Sequence, residues 1–108
     1  MANAYEVLGQ TTDSATGTAL VTVPASTEVV VSTIVIANRA SASKTFRLYI
    51  RPDDETLADK HYLAYDTTIG ANDTITLTLG ITMNASDKLY VYGSDANLSF
   101  SAFGTKIT

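Results

Sequence analysis

Few side chains in this sequence could do chemistry, and each has an ordinary structural reading beside the chemical one. A single histidine, His61, sits between Lys60 and Tyr62 with Asp59 and Asp66 nearby. An imidazole acts as a base or a ligand only where a nucleophile or second ligand converges on it. No nucleophile elbow, glycine-rich phosphate loop or recommended carboxylate pair accompanies it. His61 therefore reads as a surface or interface histidine, and no catalytic residue is assigned. Upstream, Arg51-Pro52-Asp53-Asp54-Glu55 brings three carboxylates together. Calcium wants roughly six to eight oxygen ligands, but the run lacks the spaced acids and the glycine of an EF-hand loop. It reads as a solvated charged loop, so neither a metal site nor a cofactor is expected.

The tyrosines carry more weight. Of the six, Tyr62 and Tyr65 flank a short predicted strand. Tyr90 and Tyr92 alternate with Leu89 and Val91 and so share the opposite face of another. Tyrosine joins a large apolar ring to a polar tip, which suits it to interfaces. These four are the candidate contacts to a subunit or partner. Stacking on sugar rings is the rival reading, and an ordinary amphipathic sheet face is the plainest one. Three Asn-x-Ser/Thr triplets begin at Asn72, Asn84 and Asn97, all at predicted turns, where asparagine belongs for backbone reasons.

The elements that must position these residues are strands. In Asp73-Thr74-Ile75-Thr76-Leu77-Thr78-Leu79 the apolar residues alternate with threonines, the period of a strand with one buried and one wet face. Eight strands are predicted: Ala4 to Leu8, Thr18 to Val23, Glu28 to Asn38, Lys44 to Arg51, His61 to Tyr65, Asp73 to Leu79, Lys88 to Tyr92 and Asn97 to Phe103. Gln10 to Gly17 reads as a mobile loop. Glu28 to Asn38 is apolar on both faces in its middle, which predicts a central or doubly covered strand. In the fourth strand Phe46, Leu48 and Ile50 face inward, while Arg47 and Arg51 share the outer face. Gly80 is expected to mark a bulge or kink where the sixth strand changes sheets on its way to Met83. The last two strands are expected to form a hairpin across Gly93 to Ala96. The pattern is all-β: a single antiparallel β-sandwich, jelly-roll or Ig-like, over residues 1–108.

Composition bounds the function. The 108 residues suffice for one domain with a real core. A net charge of −4 with scattered basic residues gives no reason to bind nucleic acid. No cysteine is present, which excludes disulfides and thiol chemistry. The start Met1-Ala2-Asn3-Ala4-Tyr5-Glu6 has no signal-peptide pattern, and the longest apolar stretch is too short for a bilayer. A soluble chain made in the cytoplasm, with no membrane partner, is expected. The short, mostly uncharged ends (Met1 to Leu8 and Gly104 to Thr108) are expected to pair with a neighbouring chain's sheet edge.

Several stretches resemble small virion proteins of tailed bacteriophages. They are Val23-Pro24-Ala25-Ser26-Thr27, Val35-Ile36-Ala37-Asn38-Arg39, Thr45-Phe46-Arg47-Leu48, Tyr62-Leu63-Ala64-Tyr65-Asp66 and Leu98-Ser99-Phe100-Ser101-Ala102-Phe103-Gly104. The resemblance covers nearly the whole chain and rests on strand and turn wording. It implies a β-sandwich that forms a homo-oligomer, often a trimer, on the virion, partnered by the major capsid protein or other virion proteins. Capsid decoration or cementing is the first place it suggests, and the neck, tail or fibre attachment the second. A carbohydrate-binding adhesin module is the alternative from another class.

Overall fold

The computed structural model describes residues 3–108. Nine strands and two short 3-10 turns make up the chain: β1 Asn3–Thr12, β2 Thr18–Thr22, β3 Glu28–Asn38, β4 Lys44–Arg51, β5 Tyr62–Ile69, β6 Thr74–Leu77, β7 Ile81–Met83, β8 Lys88–Gly93 and β9 Leu98–Ile107. They form two antiparallel sheets. The first runs β1-β9-β3-β6, with β7 also on β3, and the second runs β2-β8-β4-β5. With β6 and β7 taken as one broken strand, the chain crosses between sheets in the order of a jelly roll. That order separates it from the Ig-like alternative. Among the described residues no helix is long and apolar enough to cross a membrane.

Alternation builds the core. Val29, Val31, Ile34 and Ile36 of β3, with Leu98, Phe100 and Ala102 of β9, line the inner face of the first sheet. Phe46 and Leu48 of β4, with Leu89 and Val91 of β8, line that of the second. β3 is central, as its two-sided apolar pattern predicts, with β9 along one side and β6 and β7 along the other. Buried polar groups hold the crossings. Asn38 Nδ2 donates to the carbonyls of Ala42 and Gly70, at 3.0 Å each. Asp13, 4% exposed, accepts from Thr16 Oγ1 at 2.9 Å, Thr18 Oγ1 at 2.6 Å and the Gly93 N–H at 3.0 Å.

Four expectations need correction. β8 and β9 lie in different sheets, so Gly93 to Ala96 is a crossover and no hairpin forms. Each of these strands pairs with two neighbours in its own sheet instead of with the other: β4 and β2 for β8, β3 and β1 for β9. Gly80, at φ +64, breaks the strand, yet β6 and β7 both stay on β3, so the chain does not change sheets there. Gln10 to Thr12 continue β1 against Ser99 to Ser101 of β9, because backbone pairing overrides their loop-like composition. Finally, the expectation for the C-terminal end is corrected: it pairs with β1 of its own chain, Ile107 facing Asn3 and Thr105 facing Tyr5, while among the described residues the outer side of β1 stays open. β9 is thereby covered on both sides and cannot serve a neighbour, and Met1 and Ala2 lie outside the described residues.

Candidate functional site

The outer face of the second sheet gathers all four candidate tyrosines. Antiparallel register sets Arg47 opposite Tyr92, Tyr49 opposite both Tyr90 and Tyr62, and Arg51 opposite Lys88. Directly opposed residues share a face, so the outward row of β4 falls between those of β8 and β5. Tyr62 and Tyr65 are three apart, and strict alternation would set them on opposite faces. Two register shifts against β4 prevent this, and Asp66 takes a left-handed φ of 49° at the second. Each shift inserts an extra residue and re-aims the side chains beyond it, which brings Tyr65 back beside Tyr62.

The rings lock one another. Tyr49 stacks on Tyr90 with centroids 5.3 Å apart and planes at 12°. Tyr62 meets Tyr49 edge-on at 5.3 Å, and Tyr65 meets Tyr62 at 4.8 Å and 90°. The Arg47 guanidinium lies between two rings, 4.2 Å from the centre of Tyr65 and 4.4 Å from that of Tyr92. Arg51 covers Tyr90 at 4.8 Å. Aromatic pairs contribute about 0.5–1.5 kcal/mol beyond area burial, and exposed cation–π contacts about 0.5–1 kcal/mol. The cluster is thus an ordered surface with few rotamers left to freeze.

Charge on the face is compensated. Asp66 accepts from Arg47 Nε at 2.6 Å and Nη2 at 3.3 Å, a bidentate pair. This hydrogen bond drives the Arg47 pKa upward, so the guanidinium stays charged. Asp54 bridges Arg51 at 3.4 Å and Lys88 at 3.2 Å. The acidic loop therefore spends Asp54 and Glu55 on cations of its own chain, the latter on Lys60 at 3.7 Å. Tyr49 is 7% exposed despite pointing outward, and burial first, then Tyr62 and Tyr90, pushes its hydroxyl pKa up. Gly17, at φ +85, allows this cover: a Cβ there would come within 2.6 Å of the Tyr49 hydroxyl.

Tyr65 is the most exposed of the set at 57%. It lines, with Tyr62 and Asp59, an open hollow of about 440 Å³ at the β5 margin. His61 lies beneath this corner and is buried, correcting its reading as a surface histidine. Its Nδ1 accepts the Ala58 N–H at 3.0 Å, and Nε2 lies 3.3 Å from Glu55 Oε1. Both ring nitrogens are spent on the turn, which makes it a capping residue. Sequence reasoning placed Arg47 and Arg51 on one outer face but missed Tyr49 and both arginines as members of the site. The alternation Arg47-Tyr49-Arg51 was the available signal; the bulge at Asp66 left none.

No protein-family model and no curated protein matches the sequence. Among solved structures, the chain is similar to part of one of infectious bursal disease virus, Gx strain. The TM-score is 0.53 at 14% identity, over 97% of this chain and 31% of the other. A structure of the Gt strain of that virus gives a TM-score of 0.47 at 12% identity, over 98% and 30%. The chain thus spans about a third of the length of the chains it matches. At that identity the likeness to the Gx structure is one of fold.

Proposed function

We propose that this chain is a non-enzymatic virion structural protein that docks on a particle through the tyrosine and arginine face of its second sheet. The observation that carries the reading is the face itself: five tyrosines and two arginines in mutual contact, ordered before any partner arrives. Tyrosine and arginine dominate binding hot spots, and a surface already held in one arrangement loses little freedom on docking. Many symmetry copies would add avidity. Jelly rolls recur in viral capsid domains, and the fold likeness to a structure of infectious bursal disease virus supports this context. The tailed-phage resemblance favours capsid decoration over the neck or tail, with the major capsid protein as the docking partner. The test is mass spectrometry of purified particles of the encoding phage, grown with wild-type protein and with the Tyr65→Ala, Tyr92→Ala double variant. Wild-type protein should be present in stoichiometric amount and the variant depleted. Absence of the wild-type chain from the particle would overturn the reading.

One observation favours a second reading. The open hollow bordered by Tyr62, Tyr65 and Asp59 offers ring faces and a carboxylate, the groups a sugar-binding site uses. Jelly rolls also serve as lectin domains. Binding on a glycan array that disappears with Tyr65→Ala would support an adhesin role. A blank array at high protein concentration would remove it.

A further inference from the structure

Every sheet has two edges, and a free edge is a template for another strand. In this molecule three of the four are blunted. β2 has five residues and a register shift between Ala19 and Val21. β5 is interrupted twice, once with Asp66 in a left-handed conformation. On the far side of β3 stand only β6 with four residues and β7 with three, separated by Gly80. The fourth edge, β1, runs ten residues with one shift, between Val7 and Gly9, and contains no proline, lysine or arginine. Among the described residues no strand pairs with its outer side.

The same edge carries an apolar strip. Tyr5 is 85% exposed and Val7 52%. Register places Tyr5 level with Thr105 and Val30, and Val7 level with Phe103, all on the outer face of the first sheet. This strip lies on the opposite side of the sandwich from the stacked tyrosines. Its charge is neutral: the lone Glu6 of β1 is paired with Lys106 at 3.3 Å. The chain as a whole carries −4, so most pairings of two copies bring like charge together, while the β1 edge does not.

We infer that the outer edge of β1 binds the β1 edge of a second copy, antiparallel across a two-fold axis, joining the two first sheets into one. Antiparallel addition suits identical partners, because the two-fold sets each Tyr5–Val7 strip beside its own copy. The two Tyr5 rings would bring about 300 Å² toward the roughly 1,000 Å² that a specific interface needs, and the paired backbones supply more. Each copy consumes its only long free edge, so the contact closes as a dimer and does not propagate into fibres. It is independent of the docking face, which remains outward on both copies.

Light scattering over a roughly hundredfold concentration range tests this on wild type, Tyr5→Lys, Val7→Lys and Tyr92→Ala. Tyr5 and Val7 are exposed, so either lysine leaves the fold intact, which the unfolding midpoint verifies. The expected result is a wild-type dimer, weakened at least about tenfold by either lysine and unchanged in Tyr92→Ala. Hydrogen exchange at alternate β1 amides should slow as wild-type concentration rises. A monomer at every concentration overturns the inference, as does an oligomer indifferent to both lysines. An oligomer lost only in Tyr92→Ala would place self-contact on the tyrosine face, refuting the edge and leaving the docking proposal standing.

Discussion

Replacing Arg47 with methionine removes the guanidinium while keeping most of the side chain's length. Three interactions disappear together: the planar cation over Tyr65 at 4.2 Å, the same cation under Tyr92 at 4.4 Å, and the bidentate pair with Asp66. Taking about 0.5–1 kcal/mol for each cation–π contact and up to about 1 kcal/mol for a well-oriented partly exposed pair gives about 2 kcal/mol in all. Unfolding entropy near about 2.1 cal/mol/K per residue makes 1 kcal/mol worth about 4–5 °C at this length, so the midpoint should fall by about 9 °C. Calorimetry at low and high salt is the assay. Salt should erase part of the Asp66 contribution in wild type, so the gap between wild type and variant narrows at high salt. Arg47→Lys keeps the charge but not the plane, and should recover less than half of the loss. A fall of less than 2 °C (roughly 0.4 kcal/mol on the same scale), or a lysine variant equal to wild type, would refute the claim that a ring-clamped guanidinium organises this face.

Other consequences reach elsewhere in the fold. Burial alone would raise the Asp13 carboxyl, but hydrogen bonds from Thr18, Gly93 and Thr16 outweigh it and hold its pKa below the usual value. Its stabilisation is therefore complete above the unfolded value near about pH 4 and lost as pH falls through the folded one. Asp13→Asn should cost about 2–3 kcal/mol at neutral pH by urea titration and flatten the acid limb. Gly17→Ala combines φ +85 with a clash on the Tyr49 hydroxyl, so it should cost about 1–3 kcal/mol and weaken the near-ultraviolet dichroism of the tyrosines. His61→Phe orphans the Ala58 N–H and should cost about 1–2 kcal/mol in thermal unfolding. It should leave particle binding unchanged, because both ring nitrogens are spent on the turn and the ring is buried.

Strand identity was legible wherever one face meets the core. Glu28 to Asn38 and Lys44 to Arg51 end where the sequence predicts, because β-branched runs and Pro52 leave little choice. What period-2 reading cannot supply is the partner of each strand. Gly93 to Ala96 has hairpin chemistry, yet the chain uses it to cross the sandwich, since pairing is decided by which apolar faces must be covered. The C-terminal end was misread for the same reason: its composition is bland, and only β1 and β3 give it a register. The site was half legible. Alternation set Tyr90 beside Tyr92, and Arg47 beside Arg51, on their own strands. Tyr62 and Tyr65 joined them through backbone irregularities that no side-chain pattern announces. His61 looked available because its neighbours are polar, whereas a 3-10 turn folds it inward.

Equilibrium binding to virus particles lacking the chain tests the proposed docking face most directly, with wild type compared with the folded Tyr65→Ala, Tyr92→Ala double variant. Loss of two hot-spot rings, each worth about 2 kcal/mol, should weaken binding by roughly 500- to 1,000-fold. Equal affinity of the two proteins for the particle would contradict the assignment of this face.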